Sequence, residues 1–246
     1  DRWTLAAGLA SLPAMAKLII FDCDGVLIDS EVISAKMLIA ELQGYGVEMD
    51  MAFVSRNFLG RSYPAVLAEV RARWGIALPD QFEADYRARL LAAFKRDLKL
   101  MPGVMDAIMA CRVPYCLATS SSPERLRLSL DITRLTPLFA GLTFTASEVK
   151  RGKPAPDLFL HAAAKMGCAP ADCVVIEDSL NGVRAGLAAG MEVWRFVGGS
   201  HLAGLDLEIP EGAGQHASYA DFAAMRAGRP DLFRAATDRK MMKAVP

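Results

Sequence analysis

The sequence predicts an α/β protein, a doubly wound and mainly parallel sheet interrupted by an inserted helical cap. Three observations lead there. Five short β-rich runs, Leu18–Phe21, Tyr115–Thr119, Leu142–Thr145, Cys173–Ile176 and Glu192–Val197, are separated by helix-like or loop sequence, the alternation that builds parallel sheets. The first of them, Leu18-Ile19-Ile20-Phe21, is apolar at every position, as a strand buried on both faces must be. The stretch from about Ser30 to Leu98 breaks the alternation, because it carries helical patterns and no convincing strand.

Taken in order, the first strand runs directly into Asp22-Cys23-Asp24-Gly25-Val26. Ligands of parallel sheets bind beyond the carboxyl ends of the strands, so two carboxylates stand at the mouth of a site. Two aspartates this close repel each other unless a cation or a shared proton offsets the charge. A plain Asx turn at a strand end is the competing explanation. In the insertion, Val66, Val70 and Trp74 recur every four residues after Ser62-Tyr63-Pro64, and Phe82, Tyr86, Leu90 and Phe94 do so after Pro79, which are core stripes of helices. Arg71, Arg73, Arg87, Arg89, Lys95 and Arg96 read as a solvated face. Two crossings at one edge of the sheet make the insertion a hinge-mounted lid. Later helices are announced by Ser122-Pro123, by Pro154-Ala155-Pro156 and by Ser179, and Gly190 reads as a helix stop. The expected division is a core of residues 15–29 and 99–230, a cap of 30–98, an extension of 1–14 ahead of a start at Met15, and a tail of 231–246.

Composition narrows the function. Lys+Arg 28 balances Asp+Glu 28 in 246 residues, so no basic surplus advertises nucleic acid or anionic lipid. No apolar run reaches the length of about 18 residues that spans a bilayer. A cytoplasmic protein, monomeric or weakly dimeric, acting on a small diffusible ligand is expected. Five cysteines without a Cys-x-x-Cys and three scattered histidines indicate neither a disulfide framework nor a zinc site. Cys23, flanked by carboxylates, is a packing residue rather than a nucleophile.

Three further strand ends carry chemistry. Thr119-Ser120-Ser121-Ser122 offers hydroxyls and amides to a phosphate, or simply caps a helix. Lys153 stands before Pro154, which restricts it to extended backbone and fixes its approach to an anion; a lone lysine is otherwise a surface residue. Pro154 also sits where a phosphate-binding Walker loop would need Ser or Thr. Glu177-Asp178-Ser179 ends a buried-looking strand in two acids, one of which would serve equally as a helix cap. Together the four elements supply acids for a hard cation such as Mg²⁺, a lysine, and hydroxyl and amide donors, the parts that phosphoryl transfer requires.

In order and at family spacing, Asp22-x-Asp24-Gly25-Val26, Thr119, Lys153-Pro154-x-Pro156-Asp157, Glu177-Asp178-Ser179-x-x-Gly182 and Ala185-Gly186-x-x-Ala189-Gly190-Met191 closely resemble the haloacid dehalogenase-like hydrolase superfamily. The helical insertion resembles its small-cap members, such as phosphoglycolate phosphatases, sugar phosphatases and β-phosphoglucomutases. The resemblance implies a Rossmann-like core and a Mg²⁺-dependent phosphatase of a small phosphorylated metabolite. It implies that Asp22 is the nucleophile, Asp24 the acid and base, and Thr119 and Lys153 the partners of the phosphoryl group. Asp22, Asp24 through its carbonyl, Glu177 and Asp178 would hold Mg²⁺, and Ser120, Ser121, Gly60 and Arg61 would meet substrate.

Dehalogenation needs neither metal nor a second aspartate, so Asp24 and Asp178 argue against it. Phosphonate cleavage needs a cap lysine, for which only Lys36 stands out. The real competitor is a phosphosugar mutase, whose cap helix carries a histidine where this chain has Ser34. A non-catalytic phosphometabolite-binding module is a third possibility, against which the intact acids and lysine weigh.

Overall fold

The computed structural model describes residues 16–205, 214 and 216–235; the expected extension at 1–14 and the tail beyond 235 lie outside these. The chain runs β1 (Leu18–Phe21), α1 (Glu31–Gln43), α2 (Met51–Asn57), α3 (Tyr63–Trp74), α4 (Phe82–Asp97), α5 (Val104–Ala110), β2 (Tyr115–Thr119), α6 (Pro123–Thr133), β3 (Thr143–Thr145), α7 (Asp157–Lys165), β4 (Cys173–Glu177), α8 (Leu180–Ala188), β5 (Glu192–Phe196), β6 (Ala217–Tyr219) and α9 (Phe222–Gly228). The described strands make one parallel sheet in the order β3-β2-β1-β4-β5-β6. Strand β6 was not expected. It is three residues long, mostly exposed and at the edge, too short and polar to leave a period in the sequence.

Alternation along β1 explains why every one of its residues is apolar. Leu18 and Ile20 pack with Phe159 and Ala162 of α7 and Val183 of α8, whereas Ile19 and Phe21 join Leu126 and Leu130 of α6 on the opposite face. Burying side chains of this size contributes about 1.5–3 kcal/mol each. With both faces covered, the only open direction for β1 is along its own axis, toward Asp22.

The insertion leaves and returns side by side. Asp29 N donates to Lys99 O at 2.9 Å and Met101 N to Leu27 O at 2.9 Å, flanking the antiparallel bridge between Ile28 and Leu100. Between these crossings lie α1 to α4, with Val66, Val70, Phe82, Tyr86, Leu90 and Phe94 buried and Trp74 half-buried. Tyr63 and Tyr86 stack at 4.5 Å, and the Tyr86 hydroxyl donates to Ser34 O at 2.9 Å. Of the arginines and lysines expected on the solvated face, Arg87 differs, being half-buried, paired with Glu83 and set against the cavity described below. Phe94 is fully buried and carries the Arg125 guanidinium 5.0 Å above its ring. Phe94→Ala should lower stability by about 3–5 kcal/mol, measurable as a shifted urea midpoint at unchanged slope. Among the described residues no helix is long and apolar enough to cross a membrane.

Candidate active site

From β1 the chain proceeds outward through β2 to β3, then returns to the other side of β1 as β4. The crevice where strand order reverses thus opens between β1 and β4. Phe21 is level with Leu117 of β2 and Ile176 of β4, and Asp22 N extends the ladder to Ile176 O at 2.9 Å. One residue further on, Asp22 therefore stands beside Glu177. Carboxylate oxygens of Asp22, Glu177 and Asp178 all lie within 4.8 Å of one another.

Lys153 closes this cluster. Its Nζ lies 2.9 Å from Asp22 Oδ1 and donates to Glu177 Oε1 at 2.8 Å, with the Phe159 ring 4.9 Å away. Glu177 Oε2 accepts from Ser179 N at 2.6 Å and from Ser179 Oγ at 2.9 Å. Burial alone would push the lysine down, but Asp22 and Glu177 outweigh it and hold it firmly protonated. Burial pushes Asp22 well up, with Lys153 opposing and Glu177, Asp178 and Asp24 adding repulsion. Burial and Glu177 likewise push Asp178 well up. Three converging carboxylates thus face one ammonium, and Asp22 Oδ1 and Asp178 Oδ2 are buried without an aligned hydrogen bond. Hard oxygen donors with uncompensated charge fit a divalent cation.

Asp24 is held differently. Its Oδ1 accepts from Ser30 Oγ at 2.5 Å and Arg125 Nη2 at 2.6 Å, and its Oδ2 from Ser121 Oγ at 2.5 Å and Thr119 Oγ1 at 3.4 Å. Burial pushes this carboxyl up, yet the Arg125 charge and the hydrogen bonds from Ser121 and Ser30 prevail and hold it below its ordinary range. Two aspartates two residues apart are therefore driven in opposite directions by their surroundings, Asp22 upward by burial and neighbouring carboxylates, Asp24 downward, against burial, by Arg125. Cys23 between them is buried, its thiol pushed well up by burial and by both carboxylates.

Arg125, Ser30 and Glu31 escaped the sequence analysis. Arg125 is the third residue of α6, behind the cap Ser122, so the helix that opens at the end of β2 carries it back over the site. It also donates to Ser34 Oγ at 3.2 Å. Glu31 opens α1 and lines the cavity, and burial beside Asp24 pushes its carboxyl up to about 8. Its position directly after Ser30, near the exit from the Asp turn, was the available signal.

The loop between α2 and α3 meets these residues. Ser120 Oγ donates to Gly60 O at 2.7 Å, and Asn181 Nδ2 to Leu59 O at 2.8 Å. Gly60 has φ +76°, and a Cβ there would fall 2.0 Å from Ser179 Oγ, so only glycine allows this approach. Arg61 pairs with Glu69. Asp22, Asp24, Thr119, Ser120, Ser121, Gly60 and Arg61 line one cavity of about 400 Å³, while Lys153, Glu177 and Asp178 are buried behind Asp22.

A carboxylate that faces a small cavity, with a buried lysine and an acid cluster at its back and hydroxyls around it, is equipped to receive a phosphoryl group. In class, this is an α/β hydrolase of phosphate esters. A family model described as haloacid dehalogenase-like hydrolase matches residues 16–190. The 6-phosphogluconate phosphatase of Escherichia coli is 29% identical over 184 residues, covering 74% of this chain and 83% of that protein. Hexitol phosphatase B of Escherichia coli is 32% identical over 186 residues, again 74% and 83%. Among solved structures, a haloacid dehalogenase-like protein from Agrobacterium tumefaciens superposes with TM-score 0.72 at 33% identity, covering 87% of this chain and 97% of that one. A hydrolase of the same family from Deinococcus radiodurans, solved with phosphate and sodium, gives 0.68 at 31% identity, covering 90% and 99%. The chain belongs to the haloacid dehalogenase-like hydrolase family. Within it, the protein is a phosphoric monoester hydrolase.

Proposed function

We propose that the protein hydrolyses a small phosphorylated metabolite, a sugar phosphate or a phosphorylated small acid, with Mg²⁺ and through an aspartyl-phosphate, residues 30–98 acting as its cap. The observation that carries this is the opposite treatment of Asp22 and Asp24, one backed by Lys153 and the acid cluster, the other clasped by Arg125, Ser30 and Ser121. An Asp22 oxygen attacks phosphorus and the bond from phosphorus to the ester oxygen breaks. Asp24, which Arg125 keeps ionised in the structure, must be freed from that pairing and take up a proton as substrate binds, and it gives that proton to the departing alkoxide. Water then attacks the phosphorus of the aspartyl-phosphate, Asp24 takes the proton, and phosphate leaves with Asp22 regenerated. Lys153 and Thr119 offset charge on the phosphoryl oxygens. Asp22, Asp178, the Asp24 carbonyl and Glu177 would hold Mg²⁺, which supplies Lewis-acid charge and a template for the two anions it joins.

A cavity of about 400 Å³ suits a metabolite rather than a polymer. The named relatives act on 6-phosphogluconate and hexitol phosphates, which supports that size class. A mutase would return the phosphoryl to a second hydroxyl. At the position of its histidine Ser34 donates to Ser30 O and accepts from Arg125, which favours release to water. Phosphate release should be seen with Mg²⁺ from members of a panel of sugar phosphates, polyol phosphates and phosphorylated acids, and should be abolished by a chelator and restored by added Mg²⁺. Equal turnover in excess chelator would refute the metal, and isomerisation of a hexose 1-phosphate without phosphate release would refute the hydrolase.

A further inference from the structure

His201 takes no part in the chemistry above. It lies in a short 3₁₀ turn, Ser200–Leu202, just beyond β5, and its side chain is fully enclosed with Nε2 2.8 Å from Asp178 Oδ2. The surrounding chain is shaped to admit this ring. A Cβ on Gly25 would fall 2.1 Å from Asp178 Oδ2 and 3.0 Å from His201 Cε1, and one on Gly199 would fall 2.5 Å from Cε1. Gly25 has φ +76° besides, so the turn between the two aspartates and the imidazole requires glycine on two counts. The histidine turn is itself tied to that loop, since Ser200 N and Oγ donate to Asp29 Oδ1 at 3.2 and 2.8 Å. Asp178 is held from its other end by Arg195 Nε, which donates to its carbonyl at 3.3 Å.

The contact between His201 and Asp178 is close but lies outside hydrogen-bond alignment, and neither ring nitrogen nor Asp178 Oδ2 has a hydrogen-bond partner in the structure. Buried polar atoms in that condition need a function or a missing partner. His201 is not one of the residues whose ligand atoms cluster within 4.8 Å, which are Asp22, Glu177 and Asp178. It therefore meets Asp178 from outside the cluster.

We propose that His201 is a positioning residue for the cation: its Nε2, 2.8 Å from Asp178 Oδ2, comes into hydrogen-bond alignment as the carboxylate turns to the metal together with Asp22, and holds it there from behind. Ligating carboxylates are oriented by hydrogen-bond partners of their own, and losing such a partner weakens metal binding by about 10- to 100-fold. The inference rests on the reading of Asp178 as a metal ligand. It identifies a determinant of metal affinity in the loop beyond β5, outside the motifs that carry the family resemblance.

Two variants of the full chain test it. His201→Phe fills the ring's place without a nitrogen, and His201→Gln restores a donor at a reach similar to Nε2. Calorimetric titration of each purified protein with MgCl₂ alone reads the affinity, and melting temperature with and without MgCl₂ reads the coupling to the fold. His201→Phe should bind Mg²⁺ about 10- to 100-fold more weakly than the parent, with His201→Gln between them, and the rise in melting temperature on adding MgCl₂ should shrink in the same order. At MgCl₂ well above the weakened dissociation constant, kcat of His201→Gln should return close to the parent value with KM for the phosphate ester unchanged. Affinity within about twofold of the parent in His201→Phe, or an affinity of His201→Gln no better than that of His201→Phe, would overturn the proposal, because the first is smaller than the weakening expected from losing such a partner and the second shows no role for the restored donor. So would a kcat deficit that saturating MgCl₂ does not repair. A parent protein that fails to bind Mg²⁺ would overturn the metal reading and this inference with it, a result distinct from equal binding by parent and variants.

Discussion

Asp22→Asn should abolish turnover, lowering kcat by about 10⁴- to 10⁶-fold, the size of loss that follows removal of a covalent nucleophile. The substitution preserves shape. Asp22 is 3% exposed, its backbone N continues the ladder to Ile176 O, and its Oδ1 lies 2.9 Å from Lys153 Nζ. An amide keeps the volume and the backbone bond but offers phosphorus no anionic oxygen. Lys153 retains Glu177 as its hydrogen-bonded counterion, and one member of a mutually repelling acid cluster is neutralised. Asp22→Asn should accordingly fold with a melting temperature no lower than the parent in metal-free buffer. Loss of activity together with loss of the fold would leave Asp22 a structural residue, and turnover within about tenfold of the parent would remove it from the role of nucleophile.

Lys153→Met should damage both stability and rate. The lysine side chain is fully buried between Asp22 and Glu177, the latter also fully buried. Deleting the cation leaves buried carboxylates without their ammonium, a change that costs about 3–5 kcal/mol when one partner of a buried pair is removed. For a chain of this size that corresponds to a fall in melting temperature on the order of 10 °C. Because a divalent cation would compensate the same carboxylates, MgCl₂ should recover more melting temperature in Lys153→Met than in the parent. Lys153→Arg should not rescue, since a planar fork cannot occupy the compact point-charge position between two acids and the Phe159 ring. Differential scanning calorimetry with and without MgCl₂ measures each of these.

The strands that carry Asp22, Thr119 and Glu177 were legible because burial on both faces leaves a local mark, an unbroken apolar run. The end-of-strand rule then gathered residues far apart in the chain. Lys153 was legible through Pro154, which stiffens its backbone, and its burial against Asp22 and Glu177 shows what the stiffness serves. What sequence patterns could not convey was which polar groups are turned toward one another across separate elements. Ser120, expected on the substrate, donates its hydroxyl to Gly60 O of the loop between α2 and α3. Arg125 looks like one more helix-surface charge, yet it reaches Asp24 and Ser34 together. His201 is marked only by the two glycines before it, whose purpose emerges when Gly199 is found against its ring. Arg125 meets Asp24 and Ser34 across more than 90 residues of chain and Ser120 meets Gly60 across 60, and no local period records such pairings.

In the proposed mechanism the phosphoryl group passes through Asp22, with Asp24 managing protons in both halves. Asp24→Asn separates those halves when the substrate is p-nitrophenyl phosphate, whose leaving group departs without needing a proton. With Mg²⁺ present, phosphorylation of Asp22 then proceeds while attack by water is left without its base. Rapid mixing of this variant with p-nitrophenyl phosphate should give a burst of one p-nitrophenol per active site followed by slow turnover. Acid-quenched protein from the burst should carry its phosphoryl group on Asp22 when the peptides are read by mass spectrometry. A linear time course with no phosphorylated peptide, or a phosphoryl group found on Thr119 or one of the neighbouring serines, would contradict the account.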